Sequence, residues 1–261
     1  MVKACLVDVY ETILDPDFLA RERALAAFAG VRADDWLAEW LTTHTERDRG
    51  KLSVADAFAR TLQALGIEPK PELVEDIARK DAELMRQYCR LYDDSVPFLT
   101  GLRAQGILVA LVSNCADTTR SLLEDLGVLP LADAVILSCE VGSVKPSPEI
   151  YVSALEELGV AAADAAFVDD QPGFCVGAEA VGVRAIQIAR AAPGGQVPGP
   201  GFPVARSLSE VAALLLRPGG GARRLRQRRR IQPERVAARL GRQGRDRPAL
   251  ALSPLWQACE P

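Results

Sequence analysis

Short apolar runs alternate with helical segments over most of the chain, and this alternation constrains the fold more than any other feature. The runs are rich in β-branched residues and are followed by polar ones, as buried strands are. They cover residues 3–9, 106–114, 132–138, 163–170 and 183–189. Because strand, helix and strand in succession form parallel βαβ units, the pattern predicts an α/β fold with a parallel sheet and helices on both of its faces.

Residues 15–94 interrupt this alternation with a purely helical pattern. Trp36 and Trp40 are four residues apart along it, one helical turn, and we expect both in the core of a block of three or four helices. We expect His44 and Arg47, in the same block, to lie on solvated faces.

The basic residues are concentrated at one end of the chain. Residues 218–261 carry 11 arginines and three acids, a net charge of +8, whereas residues 1–217 carry a net charge of −12. The composition of the basic segment, rich in Gly, Pro and Arg, predicts disorder. It has no interleaved aromatic residues apart from Trp256 and no recognised motif, which argues against nucleic-acid binding.

Other features limit the cellular setting. The chain has no run of about 18 uninterrupted apolar residues and no secretory signal pattern, so we expect a cytoplasmic protein without a membrane partner. The six cysteines form no CxxC pair and do not cluster with the single histidine. This spacing supports neither a disulfide framework nor a zinc site.

Polar and charged side chains follow four of the predicted strands. The carboxyl ends of parallel strands meet at one edge of the sheet, which is where α/β proteins bind their ligands. The sequence therefore predicts a functional site at this edge. Its candidate residues are Asp8, Ser113, Asn114, Lys145, Asp169 and Asp170.

Four motifs in this order resemble those of the haloacid dehalogenase superfamily. They are "LVDVYETIL", "VALVSN", "KPSPEIY" and "FVDDQPG", spread over residues 3 to 190. The resemblance implies a hydrolase with a Rossmann-like core over residues 1–14 and 95–217. It also implies that residues 15–94 are a helical cap domain, inserted after the first strand.

The resemblance also implies roles for the site residues. Asp8 would be the nucleophile. The Ser113 hydroxyl and the Asn114 backbone N–H would bind oxygens of the transferring group of a small, anionic substrate, with Thr12 beside them, and Lys145 would offset its charge.

A metal ion is part of this expectation. Carboxylates that lie close together repel unless a cation or a proton intervenes, and Mg²⁺ prefers oxygen ligands. The resemblance predicts Mg²⁺ bound by Asp8, the Tyr10 carbonyl and Asp169.

Tyr10 departs from the pattern of the superfamily's phosphatases, which have an acid at this place to protonate the leaving group. Tyrosine has an ordinary pKa of about 10 and is a poor general base at neutral pH. We therefore keep three interpretations. The first is a phosphatase-like hydrolase that acts slowly on alkyl phosphates and better on substrates with good leaving groups, or that recruits an acid such as Glu46 or Asp48. We favour it because the acids of the metal site and the phosphate-binding residues Ser113 and Lys145 are all present.

The second interpretation is a 2-haloacid dehalogenase, whose first motif carries tyrosine at this place and whose halide leaving group needs no proton. The third is a catalytically weakened member that binds a phosphorylated ligand. Phe174, where relatives often place asparagine, is consistent with the third.

Overall fold

The computed structural model describes residues 2–190 and 201–216, and every structural statement below concerns those residues. Their strands are β1 Ala4–Val7, β2 Leu14–Pro16, β3 Cys89–Leu91, β4 Leu108–Ser113, β5 Ala134–Leu137, β6 Ala165–Asp169, β7 Arg184–Ile188 and β8 Val204–Ala205. Their helices are α1 Phe18–Phe28, α2 Ala33–Thr42, α3 His44–Asp48, α4 Val54–Ala64, α5 Pro71–Tyr88, α6 Ser95–Ala104, α7 Thr119–Asp125, α8 Ser138–Val141, α9 Pro148–Leu158, α10 Pro172–Ala180 and α11 Leu208–Leu216.

Six strands form one parallel sheet in the order β5-β4-β1-β6-β7-β8. The predicted α/β fold is therefore confirmed, and each of the five predicted strands is present. Strands β2, β3 and β8 were not predicted, because runs of two or three residues are too short to show a period of two.

Strand β1 shows why the sheet needs helices on both faces. Successive side chains of a strand point to opposite faces. Cys5 and Val7 accordingly pack with residues of α6, α7 and α11, whereas Ala4 and Leu6 pack with residues of α9 and α10. All four are fully buried, so β1 is a central strand covered on both sides.

Helices α1 to α5, here called the helical block, have a core of their own. Trp36 and Trp40 stack with ring centroids 6.2 Å apart, and Trp40 stacks on Phe58 at 4.8 Å. The prediction that both tryptophans are core residues is confirmed.

The helical block begins and ends at one place. Strands β2 and β3, which flank it in the chain, pair antiparallel with Leu14 opposite Leu91. Next to this pair, the Ser95 hydroxyl donates a 2.7 Å hydrogen bond to the Ile13 carbonyl. The chain therefore leaves the sheet after β1 and returns beside its point of departure.

Buried charges inside the helical block are the main surprise of this part of the fold. The Arg21 guanidinium donates to Asp81, from Nε at 2.7 Å, and also contacts Glu22, and all three residues are buried. The expectation for Arg47 is wrong: it is buried, and its guanidinium lies 3.8 Å from the Trp40 ring centroid. The cation–π contact and a 2.9 Å hydrogen bond from Arg47 Nε to the Thr43 hydroxyl hold the buried guanidinium.

The expectation for His44 is also wrong. Its side chain is only 18% exposed and lies 3.4 Å from Asp48. The predicted disordered segment, residues 218–261, lies outside the described residues. In the part of the chain that the structure describes, no helix combines the length and the apolar character needed to cross a bilayer.

Candidate active site

Asp8, Lys145 and Asp169 meet at the carboxyl edge of the sheet. The Lys145 ammonium donates to Asp8 Oδ1 at 2.5 Å and to Asp169 Oδ2 at 2.7 Å. The exposed fractions of the three side chains are 7% or less. Residues that are 137 and 24 positions apart in the chain therefore form one buried ion-pair cluster, as the strand ends predict.

The pairing of β1 with β6 places the two acids side by side. Val7 lies opposite Val168, and the Asp8 N–H donates to the Val168 carbonyl at 2.9 Å. Each aspartate is thus the next residue after an aligned pair of buried valines. The register of two adjacent strands, rather than a loop, fixes the separation of the carboxylates.

A third carboxylate completes the group. Oxygens of Asp8, Asp169 and Asp170 lie within 4.8 Å of one another, and all three residues are buried. Burial, with the neighbouring charges of Asp169 and Asp8, raises the pKa of Asp170 well above its usual value.

The charges of the cluster do not balance. Burial raises the pKa of Asp169, although the charge of Lys145 opposes this. The pKa of Lys145 is also raised, because the charges of Asp169 and Asp8 outweigh the opposite effect of burial. Three carboxylates therefore face one ammonium group among the described residues of the site. Such a set of oxygen donors fits a divalent cation such as Mg²⁺.

Asn114 holds the lysine loop, a role that the sequence did not reveal. Its side-chain amide donates to the Lys145 carbonyl at 2.9 Å, and its Oδ1 accepts from the Lys145 N–H at 2.7 Å. The two bonds fix the backbone of Lys145 from the end of β4. The Ser113 hydroxyl donates to the Asn114 carbonyl at 3.4 Å, a long and therefore weak hydrogen bond.

Tyr10 is a packed residue rather than a solvated acid. It is 8% exposed, its ring lies 5.2 Å from the Phe18 ring, and its hydroxyl is 3.0 Å from the Thr119 hydroxyl. Burial and the proximity of Cys115 raise its pKa well above 10, although the bond to Thr119 opposes this. The phenol therefore stays neutral and is poorly suited to exchange protons with a substrate.

The turn that follows Tyr10 buries Thr12. Glu11 has a φ of 62°, in the left-handed region, and Arg190 donates to the Thr12 carbonyl at 2.7 Å. Arg190 also binds Asp94 at 2.9 Å, which ties the turn to the start of α6. The Thr12 hydroxyl is buried and has no hydrogen-bond partner among the described residues. It can therefore still donate or accept a hydrogen bond.

Phe174 contacts the site lysine. The Lys145 ammonium lies 4.9 Å from the centre of the Phe174 ring, a cation–π contact, and the Phe174 carbonyl accepts a 2.8 Å bond from the Tyr151 hydroxyl. An aromatic ring in place of an amide therefore covers the lysine on one side. Sequence reasoning identified Phe174 only as a departure from the pattern.

Comparisons with known proteins agree with this geometry. The family model for haloacid dehalogenase-like hydrolases matches residues 2–182. A glyceraldehyde 3-phosphate phosphatase of Methanopyrus kandleri is 28% identical over 208 residues, 73% of this chain and 85% of the relative. An (S)-2-haloacid dehalogenase of Xanthobacter autotrophicus is 31% identical over 202 residues, 73% of this chain and 76% of the relative.

A solved structure has a similar fold. The crystal structure of a phosphatase from Thermococcus onnurineus superposes with a TM-score of 0.60 at 26% identity, covering 82% of this chain and 98% of that one. The match of the family model over most of the chain, on a fold whose strand ends bring its motif residues together, identifies the protein as a member of the haloacid dehalogenase-like hydrolases.

Proposed function

We propose that the protein is a Mg²⁺-dependent phosphatase that hydrolyses a small phosphorylated metabolite. The observation that carries this proposal is the buried group of three carboxylates, Asp8, Asp169 and Asp170. Three carboxylates at one place are a set of oxygen donors that suits a divalent ion, and a phosphatase can use that ion to offset the charge of the phosphoryl group. Relatives named as phosphatases support the same choice.

In this proposal Asp8 attacks the phosphorus atom. A bond forms between an Asp8 oxygen and phosphorus as the bond to the leaving alcohol oxygen breaks, and water later cleaves the aspartyl phosphate. Lys145 holds the Asp8 carboxylate in place and offsets its charge. The Ser113 hydroxyl, the Asn114 N–H and the unsatisfied Thr12 hydroxyl bind the phosphoryl oxygens.

The metal ion would be held by Asp8, Asp169 and the Tyr10 carbonyl. When bound, it lowers the electrostatic cost of bringing an anionic phosphate to a site that already carries three carboxylates. Asp169 is held ready by the N–H of Gln171, which donates to its Oδ1 at 2.8 Å.

We further propose that the division into a core and a cap follows the boundaries given by the sequence, with residues 15–94 as the cap. Support comes from the antiparallel pair β2 and β3, which brings together the places where the chain enters and leaves the block, and from the separate apolar core of the block. A block attached in this way can close over the substrate and exclude water.

The second candidate is a 2-haloacid dehalogenase, and Tyr10 is the observation that favours it. A halide leaves without a proton, so a buried, neutral phenol beside the nucleophile is no handicap. Against this, the departing anion would face the carboxylates of Asp169 and Asp170. For this reason we favour the phosphatase.

One pair of assays separates the candidates. The purified protein is incubated with p-nitrophenyl phosphate and Mg²⁺, and separately with (S)-2-chloropropionate and EDTA, while phosphate and chloride release are measured. We expect Mg²⁺-dependent phosphate release that is lost in Asp8→Asn. Chloride release in EDTA would refute the phosphatase proposal and support a 2-haloacid dehalogenase.

The matched control is Asp133→Asn, which alters an aspartate at the opposite, amino-terminal edge of the sheet. Asp133 accepts a hydrogen bond from the Val109 N–H at 2.8 Å, far along β4 from the site. Phosphate release should persist in this variant. Tight binding of a phosphate mimic without any turnover would instead support the ligand-binding interpretation.

A further inference from the structure

We propose that Asp48 is the general acid of the reaction and serves from the helical block in place of the missing acid at position 10. This inference rests on the proposed phosphatase function. It adds to that function a proton donor, which the superfamily's phosphatases take from the first motif and which Tyr10 cannot supply.

The position of α3 brings Asp48 to the carboxyl edge of the sheet. Helix α3 packs on α8, which directly follows β5. The contact is close: a Cβ on Gly50, two residues after Asp48, would lie 1.9 Å from the Cys139 carbonyl oxygen in α8. Asp48 is therefore at the junction between the block and the loops that carry the site.

Asp48 is buried at this junction and is 5% exposed. From its own helix, His44 lies 3.4 Å away and Arg47 is the adjacent cation. From the core, Lys145 lowers the pKa of Asp48, and Asp48 in turn raises the pKa of Cys115. Asp48 is therefore buried where α3 packs on α8, and the charge of the site lysine is one of those that act on it.

Its environment gives Asp48 the protonation state that an acid catalyst needs. Burial raises its pKa to about 7, against the opposing charges of Arg47 and Lys145. Burial and the charge of Arg47 lower the pKa of His44 to about 4, so the imidazole is neutral at physiological pH. A carboxyl that is partly protonated near neutral pH can both donate and recover a proton.

The other acid considered from this part of the chain, Glu46, does not have these properties. It is partly exposed and forms a bidentate ion pair with Arg60, from Nη1 at 2.7 Å and from Nη2 at 3.2 Å. This pairing lowers the pKa of Glu46, so it stays ionised. The pKa is thus raised at Asp48 and lowered at Glu46, although the two acids are only two positions apart.

The proposed step is balanced. As the Asp8 oxygen bonds to phosphorus, the bond from phosphorus to the leaving oxygen breaks, and the Asp48 proton passes to that oxygen. In the second half, water attacks the phosphorus of the aspartyl phosphate, Asp48 accepts the water proton, and Asp8 is released. Asp48 therefore ends each cycle protonated, as it began.

The test is the dependence of kcat/KM on the leaving group, measured with Mg²⁺ over phosphate esters from p-nitrophenyl through phenyl to glycerol phosphate. In the wild-type protein we expect a shallow dependence. In Asp48→Asn we expect little loss with p-nitrophenyl phosphate and a loss of about 10²–10⁴-fold with glycerol phosphate, because only the poor leaving group needs the proton. Glu46→Gln, the matched control, should behave as the wild type.

The pH profile gives a second readout. Because the acid must be protonated, kcat/KM for phenyl phosphate should fall as the pH rises above about 7, and this limb should vanish in Asp48→Asn. A loss of equal size for all esters, or an unchanged limb, would refute the role of Asp48.

The two proposals fail in different ways. Absence of any phosphate release by the wild-type protein would refute the phosphatase itself. Release with a steep leaving-group dependence in the wild-type protein would refute only the general acid, and this result does not depend on whether Asp48→Asn folds.

Discussion

Lys145 contacts the buried carboxylates of Asp8 and Asp169, and its removal gives the sharpest test of the site's electrostatics. In Lys145→Met the side chain keeps its apolar stem but loses the ammonium, which is 2.5 Å from Asp8 and 2.7 Å from Asp169. Breaking a buried pair by removing one partner costs about 3–5 kcal/mol, because the remaining charge is left uncompensated. For a domain of this size that corresponds to a fall in Tm of about 6–20 °C.

The sign of the pH dependence follows from the raised pKa of Asp169. A carboxyl whose pKa is higher in the folded state than in the unfolded state binds its proton more tightly when folded. It therefore favours folding at low pH and opposes it as the pH rises. Without Lys145, which lowers this pKa, the shift becomes larger. The loss in Lys145→Met should thus be greatest above neutral pH and should narrow to about 1–2 kcal/mol near pH 5.

The measurement is urea denaturation followed by far-ultraviolet circular dichroism, in EDTA, at about pH 7.5 and about pH 5. Lys3→Met is the matched control, since Lys3 forms an exposed ion pair with Asp164 and should change stability little at either pH. An equal loss at both pH values would show that lost packing, rather than charge, explains the effect. A loss near zero above neutral pH would refute the account of the cluster.

Two further predictions concern packing around the site. Gly50→Ala should lower the free energy of unfolding by about 1–3 kcal/mol more than Gly30→Ala, as measured by thermal denaturation. Both glycines have a left-handed φ, but of the two only Gly50 would bring its Cβ against a backbone oxygen, at 1.9 Å. Equal losses of stability in the two variants would contradict this. Thr119→Val should lower the free energy of unfolding by about 0.5–1.5 kcal/mol, because it removes the hydroxyl that is hydrogen-bonded to Tyr10. Thr61→Val should leave stability unchanged or raise it, because the buried Thr61 hydroxyl has no hydrogen-bond partner among the described residues. A loss at Thr61 as large as that at Thr119 would contradict the second prediction.

The sheet and the group of acids at its carboxyl edge were accessible from the sequence for the same reason. A buried parallel strand needs an apolar run, and the first polar residue after the run lies at the carboxyl edge, so Asp8 and Asp169 could be located by one-dimensional reasoning. Lys145 lies in a loop. Its place after a predicted strand made it a candidate, and the resemblance implied its role.

The interior of the helical block was not accessible in this way. Arg21, Asp81 and Arg47 are charged, and a sequence pattern assigns charged residues to the surface. Only the three-dimensional packing brings Arg21 to Asp81, 60 residues away, where a mutual ion pair makes burial tolerable. The same reason explains why His44 was wrongly expected at the surface.

By itself, the sequence determined the α/β class, the central strands and the edge of the sheet at which the acids gather, because strand period and strand ends are local properties. Only the tertiary structure decided that Asn114 binds the Lys145 backbone and that Asp48 is buried while Glu46 is partly exposed. Those distinctions depend on which surfaces meet after folding. A carboxyl acquires its pKa from the burial and the charges that such contacts create, so the chemistry of an acid cannot be assigned from its place in the chain.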